Sequence, residues 1–108
     1  MQWSPGHEAV ETEDLPRLRE LFDAGHDVED DEGDGWTLLR HAIDVEIDGH
    51  YQSGQPLHAD VTAYLLARGA DPLRSNTGGV LPADEAEQRE HWLAAELIRA
   101  WVARPCTT

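Results

Sequence analysis

The chain repeats itself at short range. Trp3-Ser4-Pro5, with Ala9-Val10 behind it, returns 33 positions later as Trp36-Thr37-Leu38, with Ala42-Ile43 behind it. Leu21-Phe22-Asp23-Ala24-Gly25-His26-Asp27 returns as Leu65-Leu66-Ala67-Arg68-Gly69-Ala70-Asp71, now 44 positions on. Asp34-Gly35 and Gly78-Gly79 are also 44 apart, and His58 and His91 are again 33 apart. A period of 33 with one insertion of 11, placed between Ala42 and His58, accounts for every offset. A unit this short cannot close a core alone and buries its apolar face only against its neighbours. One domain over 1–108 is therefore predicted, with repeats near 2–34, 35–78 and 79–104, an insertion at 47–57 and a tail at 105–108.

Local chemistry puts two helices in each unit. Ser4 and Thr37 suit N-caps, where a side-chain oxygen accepts an orphan N–H of the first turn. Pro5 and Pro82 fall at first helical positions, for which the fixed φ of proline is pre-organised. Asp14 can cap the next helix, with Pro16 in the first turn, where a missing N–H costs nothing. Leu15, Leu18, Leu21 and Phe22 form the stripe of an amphipathic helix, repeated by Leu93, Leu97, Ile98 and Trp101. Gly25 and Gly69 stand where a left-handed residue ends a helix. All-α structure follows, with six helices near 4–12, 15–24, 37–46, 59–67, 82–89 and 91–102. Two hairpin-like loops follow Gly25 and Gly69, and the insertion is read as an extended link beyond the third helix.

Gly35-Trp36-Thr37-Leu38-Leu39-Arg40-His41-Ala42, the Gly25 and Gly69 blocks, and Gly79-Val80-Leu81-Pro82-Ala83-Asp84-Glu85-Ala86 together resemble the ankyrin repeat. Gln2 to Ala9 reads as a degenerate first copy, with Ser4, Pro5 and His7 at the T, P and H positions of the T-P-L-H signature. No copy keeps that signature whole: Thr37 lacks its Pro, Pro82 lacks its Thr, and Arg40 and Asp84 replace the His. The resemblance implies a helix-turn-helix solenoid that binds a protein on its concave face, through hairpin tips and first helices. It also implies that His58 and His91 cap second helices. The last copy ends in Trp101-Val102-Ala103-Arg104-Pro105 without a closing Gly-Ala-Asp loop, as suits a terminal cap.

Charge narrows the choice of partner. The chain has 22 acidic residues against eight basic ones, a net charge of −14, and every basic residue is arginine. Nucleic acid needs clustered cations and anionic membrane repels this chain, so both are disfavoured. A basic protein is the natural complement. Residues 1–54 hold 15 acids and three arginines, whereas 55–108 hold seven acids and five arginines, so the acidic half is expected to face that partner. The single Cys106 provides neither a disulfide framework nor a metal knuckle. With no apolar run of spanning length and no leader pattern at the N-terminus, a cytoplasmic monomer is expected.

Catalytic patterns are missing: GxSxG, HExxH, a Walker lysine and GxGxxG. No enzyme and no cofactor is therefore expected. Asp30, Glu32 and Asp34 are spaced like positions 1, 3 and 5 of a calcium loop, with Gly35 at position 6. Position 12 is His41 rather than the bidentate Glu, so calcium is an alternative and not the leading reading. The insertion carries His50 and His58 at a spacing that matches no compact zinc motif. Carried over from the resemblance, the partner-binding positions are Asp30, Asp31, Glu32, Asp34 and Trp36 at one tip. The next tip supplies Arg74, Asn76, Thr77 and Val80, and the first helices supply Asp44, Val45, Gln88 and Arg89. Trp3, Trp36 and Val80 occupy equivalent places and should form a row, with Trp36 a candidate anchor. An immunity or inhibitor protein blocking a basic toxin or enzyme is the particular function this points to. A metal-responsive protein and a self-assembling module, dimerising through Leu97 and Trp101, are the alternatives.

Overall fold

The computed structural model describes residues 3–33 and 35–104. They form α1 (Pro5–Glu11), α2 (Leu15–Asp23), α3 (Leu38–Ser53), α4 (Asp60–Ala67), α5 (Pro82–Gln88) and α6 (Trp92–Ala103). No strand occurs among the described residues, so the loops after Gly25 and Gly69 are built of turns. Each odd-numbered helix packs on the even-numbered one that follows it. The first helices make one layer, α1 on α3 and α3 on α5. The second helices make the other: α4 lies on α6, and α2 meets α4 through Phe22 and Tyr64, whose rings are 6.4 Å apart.

The helix starts follow the cap chemistry. Ser4 Oγ accepts from His7 N–H, Asp14 from Arg17 N–H and Thr37 from Arg40 N–H. His91 Nδ1 accepts from Ala94 N–H at the start of α6. Apolar stripes on both layers meet between them. Val10, Leu18, Leu38, Ile43, Val61, Leu65, Leu66 and Ile98 are buried. Each such side chain contributes about 1.5–3 kcal/mol of burial. Ala42, Ala86 and Ala94 are fully buried where helices approach closely.

Polar pairs between adjacent helix pairs keep one register. Glu13 with His58, Asp23 with Arg68, Glu29 with Arg74, Arg40 with Glu85, Asp44 with Arg89 and Glu46 with His91 are each 45 positions apart. His7 and His41, on the N-terminal side of the insertion, pair 34 apart. Both separations are the sequence offset plus one residue. Each helix pair is thus laid on the preceding one by nearly the same displacement.

Two expectations need correction. The third helix does not stop near 46: it runs to Ser53 and ends at Gly54, which is left-handed at φ 67°. Most of the 47–57 insertion is therefore helix. No proline interrupts it before Pro56, and Ile43 and Ile47, one turn apart, are both buried. His58 also does not cap α4. The N-cap is Ala59, without a side-chain bond, and His58 turns instead to Glu13. Glu46 on α3 takes over the cap: its Oε2 accepts from Val61 N–H at 3.1 Å and Thr62 N–H at 3.2 Å. Its Oε1 accepts from Thr62 Oγ1 at 2.7 Å and His91 Nε2 at 2.9 Å. Glu46 is fully buried, and this donor set satisfies its carboxylate.

Candidate protein-binding face

The tip between α2 and α3 is acidic and ordered. Asp27, Asp30 and Asp31 each accept a backbone N–H two residues on, from Glu29 (2.9 Å), Glu32 (3.0 Å) and Gly33 (2.8 Å). Short acidic side chains favour such local turns over regular structure. The next tip holds this one in place. Arg74 donates to Glu29 at 3.2 Å and to Asp31 at 2.6 Å, and Asp71 N–H donates to Glu29 at 2.6 Å. The Gly33 N–H, and then Arg74, hold the Asp31 carboxyl below its usual range.

Beneath the tip lies a buried histidine pair. His7 Nε2 donates to the Asp30 carbonyl at 2.9 Å, and the Nδ1 atoms of His7 and His41 are 2.8 Å apart. Burial, and then His7, push His41 down to about 4. Trp3 meets the His41 ring edge-on at 4.9 Å, and Trp36 lies 5.7 Å from it. Trp36 is half-buried, with the Arg40 guanidinium 5.0 Å over its ring. Glu11 at the end of α1 approaches His41 Nε2 to 3.7 Å. Burial, and then Asp44 and Asp48, raise the Glu11 carboxyl.

The sequence-predicted residues divide into groups. Asp31 and Arg74 pair across the two tips, Asp30 accepts from Glu32 N–H within the first, and Glu32 lies 3.8 Å from His7. Asp44 and Arg89 meet on adjacent first helices at 2.8 Å. Asn76 Oδ1 accepts from Gly78 and Val80 N–H, so it shapes the second tip from within. Val45 is only 8% exposed and offers little surface. Val80 is half-buried. Asp34 lies outside the described residues. Sequence reasoning did not assign Glu11, Asp48 or the histidine pair to this face. The available signal was the 34-residue spacing of His7 and His41.

Among the described residues no three His, Cys, Asp or Glu side chains converge as a metal-binding group. No helix among them is long and apolar enough to cross a membrane. The chain matches no model of a known protein family, and none of the curated proteins.

Proposed function

We propose that this chain is a non-catalytic, ankyrin-type repeat module that binds a basic protein partner through its acidic tips and first helices. The observation that carries the reading is the ordered acidic tip. Consecutive carboxylates are held by backbone N–H groups and by Arg74, next to the half-buried Trp36. A preorganised charged surface loses little entropy on binding and steers an oppositely charged partner. The constant register between helix pairs and the glycine-closed turns at Gly25 and Gly69 support the repeat assignment. An immunity or inhibitor role in the cytoplasm, against a basic toxin or enzyme, is the specific form proposed.

Capture from lysate at low salt tests this, using the native chain beside an Asp27→Arg, Glu32→Arg variant. A basic protein retained by the native chain and lost by the variant is the expected result. Charge reversal should slow association with that protein more than it speeds dissociation. An unchanged on-rate at low salt would sink the reading.

One observation favours a second reading, self-association at the end of the stack. Leu73, Leu81 and Val102 are 55%, 37% and 43% exposed there and line a cavity of about 150 Å³. Leu97 and Trp101 pack against the core, so they are not the centre of this patch. Light scattering across protein concentration separates the two readings.

A further inference from the structure

With one proton on each ring, the hydrogen bonds of the buried histidine pair have one consistent arrangement. The Asp30 carbonyl can only accept, so His7 Nε2 carries a proton. With one proton per ring, His7 Nδ1 accepts and His41 Nδ1 donates across their 2.8 Å contact. His41 Nε2 is then a bare lone pair. It faces Glu11 Oε2 at 3.7 Å, beyond hydrogen-bond length, so two acceptors lie side by side at the edge of the solvent. The His41 ring is 2% exposed, so its environment is largely protein.

The surroundings favour a cationic donor. Asp44 and Asp48 follow His41 by one and two turns on the same face of α3. Asp44 has Arg89, but neither Glu11 nor Asp48 has an arginine partner among the described residues. Trp3 flanks the imidazole and remains 42% exposed, leaving ring surface for a cation. We infer that His41 Nε2 and the Glu11 carboxylate form the base of a receptor for one cationic side chain of the partner, an ammonium or guanidinium N–H, beside Trp3. A single N–H-bearing cation donates to both acceptors and offsets the local negative charge. This rests on the basic-partner reading and assigns that partner its anchoring residue.

Long-range proton–nitrogen spectra of the isotope-labelled full chain test it, with argininamide and lysinamide as probes and citrullinamide as the neutral control. In the free protein His41 Nε2 should resonate as unprotonated nitrogen. Argininamide or lysinamide should move that nitrogen and the Trp3 indole, and citrullinamide should move neither. Glu11→Gln, at an exposed position, should weaken argininamide about tenfold. A protonated Nε2 in the free protein overturns the inference. So does a lone pair unmoved by millimolar cationic probe, or one that responds to zinc and not to the amides. Lysate capture reads the tips and these spectra read the pocket. Capture lost with argininamide still bound condemns the partner reading alone, and the reverse condemns the receptor alone.

Discussion

The two edges of the stack close their turns with the same hydrogen bonds and different residues. At the tip edge, His26 N–H donates to the Leu21 carbonyl and Gly25 N–H to that of Phe22, and Ala70 and Gly69 repeat this on Leu65 and Leu66. Gly25 and Gly69 sit at φ 97° and 99°. At the opposite edge, Asp14 and Glu13 close α1 on Ala9 and Val10, and His91 and Glu90 close α5 on Ala86 and Glu87. There the left-handed residues are Glu13 at φ 53° and Glu90 at φ 65°. A side chain in that region costs about 1–2 kcal/mol, which glycine avoids. The strain accompanies anchoring of the insertion: Glu13 accepts from His58 and Glu90 from Tyr51. The contrast is confined to the helix-closing turns, since Glu32 further along the acidic tip is also left-handed at φ 54°; the far edge in addition clasps the extended α3.

The far edge should respond most strongly to a change at Glu46. Glu46→Ala removes the acceptor for α4's first turn and for His91, with an expected loss of about 3 kcal/mol or more in chemical denaturation. A midpoint equal to the parent's would mean that the buried carboxylate does not hold the far edge.

Next comes pH, for which the edges should respond with opposite signs. His41 near the tip has a folded pKa of about 4 against an ordinary value of 6.5. The folded state binds fewer protons in that window, so the stability this adds is complete above 6.5 and is lost as pH falls toward 4. His58 is raised, first by its Glu13 hydrogen bond. Glu46 on α3 and the Pro56 carbonyl act in the same direction. Its contribution is complete below the unfolded value and is lost as pH rises through the folded one. Stability profiles of His41→Gln and His58→Gln, each subtracted from the parent, should therefore slope oppositely; parallel slopes would contradict the assignment.

Backbone strain gives a smaller contrast. Gly69→Ala should cost about 1 kcal/mol, because φ is positive there. Glu90→Gly in a Tyr51→Phe background should gain up to about 1 kcal/mol, since the lost hydrogen bond is already absent. Thermal melts of both variants check the pair, and equal signs would deny the difference between the edges. The smallest effect is expected for Asp31→Asn at the exposed tip, where screening leaves surface pairs little influence on stability. Its melting temperature should stay within error of the parent's while hydrogen exchange at Gly33 quickens.

Much of the helix pattern was legible because its causes are local. Ser4, Asp14 and Thr37 cap where their short oxygens reach the first turn. The insertion was misread because Ile47 continues the buried face of Ile43, and that burial depends on neighbours distant in sequence. His58 was misread because the cap it was expected to supply comes from Glu46, 12 residues before it. At the binding face the acidic tip could be read directly. The Glu11–His41 contact could not, because it joins α1 to α3 through side chains with no shared motif.

By itself the sequence determined the period, the six helices, the glycine turns and the sign of the surface charge. Each depends on interactions within a few residues or on simple sums of charge. Tertiary structure decided which carboxylates pair internally, with Arg74, Arg89 and His91, and left Glu11 beside His41 without an arginine partner among the described residues. It also decided that glutamate occupies the strained turns of the far edge. Those outcomes depend on how one helix pair is laid on the next, and a displacement of a few ångströms makes or removes a hydrogen bond.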